Sequence, residues 1–257
     1  LIRIADCARR FGGYSSSIVW RRESAPVDFR NLGSIDEALR VIGDRYTRFH
    51  YSQFGEDLII YSLLETYGRL RTPGFYVDVG AFHPTFISNT RMLRHLGWRG
   101  INIDGDSAKI DLFLKERPDD ISICALVSDT IEELEFSRFA AGALNTADPA
   151  LRAQHVSRNL EVVQTERMTT RRLADILHEH VPAGVTIDLM NVDAEGLDFN
   201  VLKSNDWDAF APFFLIVEDH HLSFRGGVSS EIFNYLGERR YRLVAHTFVT
   251  SIYVRDM

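Results

Sequence analysis

Phe75-Tyr76-Val77-Asp78-Val79-Gly80-Ala81-Phe82-His83-Pro84 reads as a short apolar strand that ends on an acid, a glycine and a turn. A run of this length and apolarity suits a strand buried on both faces of a parallel sheet. Gly80 allows the sharp turn and close approach that a strand end beside a ligand needs. Similar runs recur at 100–104, 121–127, 185–192 and 213–218. Helical spacing fills the gaps at 88–96, 107–116, 170–179 and 199–202, and again at 229–239. Two alternating runs, 242–247 and 250–255, flank Phe248-Val249 and predict an antiparallel hairpin. Alternating strands and helices closed by a hairpin define a Rossmann-like, doubly wound α/β sheet.

Upstream, Phe54, Leu58, Tyr61 and Leu64 predict a helix over 54–67. Ser34-Ile35-Asp36-Glu37 has capping-box spacing and predicts another helix, so residues 1–48 are expected to form an N-terminal helical extension, a lid or dimer arm. Residues 49–257 are then the main domain. An insertion at about 129–168 interrupts the alternation, with strand-like runs at 133–136 and 160–164 around a polar loop. Segments of that size near a binding face often carry specificity.

The 257 residues hold 29 Lys+Arg and 36 Asp+Glu, so a net charge of -7 gives no electrostatic reason to expect nucleic acid as a partner. No apolar run reaches the about 18 residues of a membrane span, and a soluble, cytoplasmic chain is expected. Neither a disulfide framework nor zinc spacing is present, and Cys124 in its apolar run is expected to be a buried free thiol.

Ligands of open α/β sheets bind beyond the carboxyl ends of the strands. Here Asp78, Asp104, Asp129, Asp193 and Glu218 each stand at or just past such an end. One acid alone is explained by helix capping. Five on one rim repel each other and call for a cation or a hydroxyl-rich ligand. Asp104 lies 26 residues after Asp78, near the about 20-residue offset of a ribose-binding acid. The loop after Asp78 lacks the G-x-G-x-x-G that seats a pyrophosphate, which disfavours an NAD(P)-dependent oxidoreductase. One glycine and a leading acid suit S-adenosylmethionine, which has a ribose diol and an ammonium but no pyrophosphate.

Tyr51-Ser52-Gln53-Phe54-Gly55-Glu56-Asp57, the 76–84 segment, Ser88-Asn89-Thr90, the 97–104 segment and Asn191-Val192-Asp193-Ala194-Glu195-Gly196-Leu197-Asp198 together resemble the FkbM family of S-adenosylmethionine-dependent methyltransferases. The resemblance spans roughly residues 49–220; Gly105-Asp106 depart from the pair other members often carry. It implies a class I methyltransferase sheet of order 3-2-1-4-5-7-6 with the last strand antiparallel. It also implies O-methylation, often of a sugar hydroxyl in a glycan, glycolipid or glycosylated metabolite. Carried over, Asp78 and Gly80 surround the methionine part of the cofactor, and Asp104 holds the ribose. Ser128 and Asp129 fall at the adenine, with Gln53 and Glu56 approaching from the preceding helix.

Asp193, Glu218 and Asp219 end neighbouring strands about 4.8 Å apart, so their carboxylates are candidates to hold one hard cation, Mg²⁺ or Mn²⁺. Metal-dependent O-methyltransferases have a similar arrangement. His220, His221 and Glu195 are the candidate general bases for a hydroxyl proton. His83 is expected either to contact substrate or to hydrogen-bond its own loop. The alternative outside enzymology is a non-catalytic methyltransferase-like module that docks a partner, and a homo-oligomer is compatible with either.

Overall fold

The computed structural model describes residues 50–70 and 74–256. The helix expected at Ser34, the extension 1–48 and Cys7 lie outside the described residues.

Seven strands form one sheet in the order β3 (Ile121–Cys124), β2 (Arg99–Asp104), β1 (Phe75–Val79), β7 (Leu189–Val192), β8 (Phe214–Glu218), β10 (Thr250–Arg255) and β9 (Tyr241–Thr247). The first five run parallel, and β10 lies antiparallel between β8 and β9. This is the 3-2-1-4-5-7-6 order, with the added strands of the insertion set aside, and the fold is Rossmann-like. Val77 pairs with Ile101 on one side and Met190 on the other. Side chains alternate between the two faces of a strand, and both faces are covered. Val77, Ile103, Met190 and Leu215 pack with α5 (Leu173–His180), α6 (Asp198–Lys203) and α7 (Glu231–Glu238). Tyr76, Leu189, Phe214 and Ile252 face α1 (Glu56–Thr66), α2 (Arg91–His95) and Trp98.

The strand read at 121–127 divides. β3 ends at Cys124, while Leu126–Val127 forms β4 and pairs with β6 (Val162–Arg171), which pairs antiparallel with β5 (Glu133–Phe139). The insertion is thus a second, three-stranded sheet. It carries α4 (Pro149–Ser157), started by Asp148, whose carboxylate accepts from Leu151 N at 2.6 Å, and by Pro149 in the first turn. Residues 170–171 belong to β6, so the helix expected from 170 starts at Leu173. The strand expected from 185 starts at Leu189. Cys124 is exposed, contrary to expectation, because β3 is an edge strand. Trp98 and Trp207 pack with the core.

The helix expected over 88–96 shortens to Arg91–His95, and a buried cation explains the loop before it. Arg117 follows α3 (Ser107–Glu116) and is fully buried. It donates to Tyr76 Oη at 3.1 Å, Thr90 Oγ1 at 2.9 Å, Ser88 Oγ at 3.0 Å and the Pro84 carbonyl. Thr90 Oγ1 in turn donates to Asp78 at 2.8 Å. One guanidinium therefore fixes the loop that follows β1. Arg117→Ala leaves these acceptors without their donor in the core; we expect a loss of about 3–5 kcal/mol, read from urea unfolding.

Candidate active site

A cleft of about 1000 Å³ opens over the carboxyl ends of β1, β2, β7 and β8. Its floor is the β1–β7 seam. Gly80 has φ +75°, and a Cβ there would meet the Asp193 carbonyl oxygen at 1.7 Å, so the two strand ends touch backbone to backbone. Asp78 beneath them is buried and accepts from Thr90 Oγ1 and from Asn191 Nδ2 at 2.9 Å. Burial raises its pKa. Asn89 joins the chain by donating to Asn191 Oδ1 at 2.9 Å. Asp78 therefore locks the loop geometry from below.

On the β2 side, Asp104 accepts the amides of Phe82 at 3.0 Å and Asp106 at 2.8 Å. Each of its oxygens keeps a further lone pair. Burial raises its pKa, opposed by Lys109, whose Nζ stands 3.8 Å away and donates to the Gly142 carbonyl at 2.7 Å. Phe136 of β5 covers Gly105 here, with ring carbons 3.1–3.4 Å from a Cβ placed on it.

Between the sides lie four carboxyls. Asp193, Asp198 and Glu218 bring one oxygen each within 4.8 Å of one another. Glu195 adds its charge to Asp193 and Glu218. Asp198 is oriented by the amides of Ala194 at 2.7 Å and Gly196 at 3.2 Å, which fold the 194–196 turn around it. Asp193 Oδ1 is shielded from water and accepts no hydrogen bond among the described residues. Burial is the main cause that pushes Asp198 up to about 6, Glu218 to about 8 and Glu195 to about 9, and it raises Asp193 well above the carboxylate range.

The β8 side carries His220, with Nε2 at 3.1 Å from Glu218 Oε1. Burial lowers the His220 pKa, with His221 adding to the effect and Asp219 opposing it. His221 also lines the cleft. The mouth is aromatic. Phe54 and Phe248 meet at a tilt of 49° with ring centroids 5.2 Å apart, and Phe248, 81% exposed, holds φ +37° at the β9–β10 turn. Glu56 ties this turn to α1 by accepting from Thr247 Oγ1 at 2.6 Å.

Gln53, Glu56, Asp78, Gly80, Asp104, Asp193, Glu195, Glu218, His220 and His221 all line the cleft, but three expected residues do not. Asp219 turns away: it accepts from Ser230 Oγ and from the His221 amide and so anchors the loop after β8. Asp198 stands where Asp219 was expected to complete the acidic set. Ser128 and Asp129 leave the rim because β4 joins β6. Asp129 instead pairs with Lys203 at 2.7 Å and accepts from Asn200 at 2.6 Å. Leu126, Val127 and Phe136 line the cleft there. His83 serves its own loop, accepting the amides of Thr85 and Phe86 at 3.0 Å each. Sequence reasoning overlooked Lys109 and His155, both in the cleft wall.

A doubly wound sheet in this order, with its ligand cleft at the carboxyl rim, is the architecture of a Rossmann-like methyltransferase. The family model "Methyltransferase FkbM domain" matches residues 78–243, more than half of the chain. The chain belongs to the FkbM methyltransferase family and is a methyltransferase. No curated protein matches it.

The acidic cluster makes stability fall as pH rises. Asp198, Glu218 and Glu195 titrate near 4 in the unfolded chain but at about 6, 8 and 9 in the folded one, and Asp193 is raised in the same direction. Above about pH 4 the unfolded state binds fewer protons than the native state, so each unit of pH costs stability until the folded values are passed. We expect the melting temperature to drop between pH 5 and 9 in metal-free buffer. Glu218→Gln should flatten that slope.

Proposed function

We propose that the protein is a cytoplasmic S-adenosylmethionine-dependent O-methyltransferase acting on a sugar hydroxyl of a glycan, glycolipid or glycosylated metabolite. The observation that carries this reading is the set of half-buried carboxyls Asp193, Glu195 and Glu218 lining the cleft next to the Gly80 loop, with the buried Asp198 beside them. Such a site favours ligands that bring hydroxyls or positive charge. S-Adenosylmethionine brings a sulfonium, an ammonium and a ribose diol, and the acceptor brings further hydroxyls. The residues fit the cofactor: Asp104 retains lone pairs for the ribose, and Asp193 Oδ1 is an orphaned acceptor in the wall.

The bound cofactor supplies an electrophilic methyl on a good leaving group. The chain must align the acceptor oxygen with that methyl and take its proton. His220 is the base the geometry favours over His221, because Glu218 orients it at 3.1 Å. With Glu218 ionised, Nε2–H donates to it and Nδ1 takes the hydroxyl proton; Glu218 then stabilises the imidazolium. Glu195, which lines the same cleft, is our candidate to meet the cofactor ammonium or to serve as a second base. Asp193, Asp198 and Glu218 offer an all-oxygen set suited to Mg²⁺ or Mn²⁺, which would orient the acceptor oxygen and increase its acidity.

Calorimetry with S-adenosylhomocysteine is the direct test. We expect micromolar binding, weakened at least about tenfold by Asp104→Asn. Absence of binding would discard the cofactor and favour a partner-docking module. For turnover, release of S-adenosylhomocysteine would be followed across a panel of simple glycosides, with and without Mg²⁺. His220→Gln should lower kcat about 100-fold or more while leaving S-adenosylhomocysteine affinity intact. Without Mg²⁺, the parent rate should rise with pH toward about 8 as Glu218 ionises.

A further inference from the structure

α4 is the helix of the inserted sheet, and Asp148, Leu151, His155 and Arg158 at its cleft face follow helical spacing. Its start is anchored at the acidic turn: a Cβ on Gly196 would meet Asp148 Cβ at 3.0 Å and Leu151 Cδ2 at 3.4 Å. From there it runs toward Phe139, whose ring lies edge-on to His155 at 5.1 Å. The strand carrying Phe139 also carries Phe136, which covers Gly105 beside Asp104. In sheet order this wall belongs to the β2 side, whereas Phe54, Phe248 and His220 stand with β8 and β10. The cleft therefore has two ends, with the carboxyls between them.

His155 is 5% exposed, and neither Nδ1 nor Nε2 has a hydrogen-bond partner among the described residues. Buried polar atoms are nearly always satisfied in folded proteins, so an imidazole with both nitrogens unmet points to a missing partner. Burial and Arg158 lower the pKa of the ring and so favour its neutral form. A neutral imidazole offers one donor and one acceptor. The two nitrogens point to opposite sides of the ring, so one of them can meet an adenine edge, the N–H facing a ring nitrogen or the bare nitrogen facing the 6-amino group.

We propose that His155 hydrogen-bonds the adenine of the cofactor, so that the inserted helix, and not the loop after β4, recognises the base. This rests on the S-adenosylmethionine reading above. The test uses calorimetry on the full chain with two probes, S-adenosylhomocysteine and 5′-methylthioadenosine, which keeps the adenosine end but lacks the amino acid. His155→Phe should weaken both about tenfold and by the same factor. His155→Gln, which retains a donor and an acceptor, should recover most of the loss. Thermal melting monitors folding, and His155→Leu, which likewise has no side-chain donor or acceptor, replaces the Phe variant should that one not fold. Unchanged affinity for S-adenosylhomocysteine overturns the proposal, as does a loss for S-adenosylhomocysteine that 5′-methylthioadenosine does not share. If the parent protein binds neither probe, the cofactor reading fails and the proposal falls with it.

Discussion

Four carboxyls crowded together, Asp193, Glu195 and Glu218 in the cleft wall and the buried Asp198 beside them, are the constraint around which the cleft is arranged. Each would rather be in water, and each raises the cost of ionising the next. Asp198 is held by two backbone amides, yet its pKa still rises to about 6. Asp193 has an oxygen with no partner among the described residues. Such an arrangement opposes folding and persists only because the rest of the domain is stable enough to carry it. The sheet supplies that stability: strands covered on both faces, with the apolar side chains of β1, β2, β7 and β8 packed in two layers. Strained or destabilised groups of this kind concentrate at functional sites.

The supporting scaffold lies one layer below. Asp78 is the first acid of the rim in sequence, but it is turned into the structure by Thr90 and Asn191. Arg117 holds Thr90, Ser88 and the Pro84 carbonyl at once, so the loop around Gly80 rests on a cation that never reaches the cleft. The rim thus separates into acids that shape the loop and acids that face the ligand space. Asp104 does both, since it takes two amides and keeps a lone pair on each oxygen at the cleft wall.

The central strands were legible because burial on both faces leaves a plain apolar signature. Phe75–Val79 and Thr250–Arg255 match the expected bounds, and the helix Ser107–Glu116 does too. The strand order came from the family resemblance, since periodicity cannot rank neighbours in a sheet. The rim acids were legible as strand-end residues, but their directions were not. Asp219 and Glu218 are adjacent in sequence and face different ways, as side chains alternate along an extended chain. Asp198, inside a helix, carried no strand-end mark; only the fold of the 194–196 turn brings it to Asp193. Ser128 and Asp129 were misjudged because a single apolar run, 121–127, serves two sheets. His155 was overlooked, although Asp148-Pro149 is a helix-start signal from which its place on a cleft-facing helix follows.

The tilted ring pair Phe54 and Phe248 and the bond from Thr247 to Glu56 join the start of α1 to the β9–β10 turn, with the bonded partners 191 positions apart in sequence. Contacts of such long range form late, after the chain between them has been ordered. During synthesis, β1, β2 and the inserted sheet emerge while β10 is still to be made. The aromatic mouth and the wall beside Glu218 therefore come into being only with the last strand. A nascent chain has the Gly80 loop and Asp104 long before it has an enclosed reaction space, so the emergence of β10 is itself the event that closes the cleft.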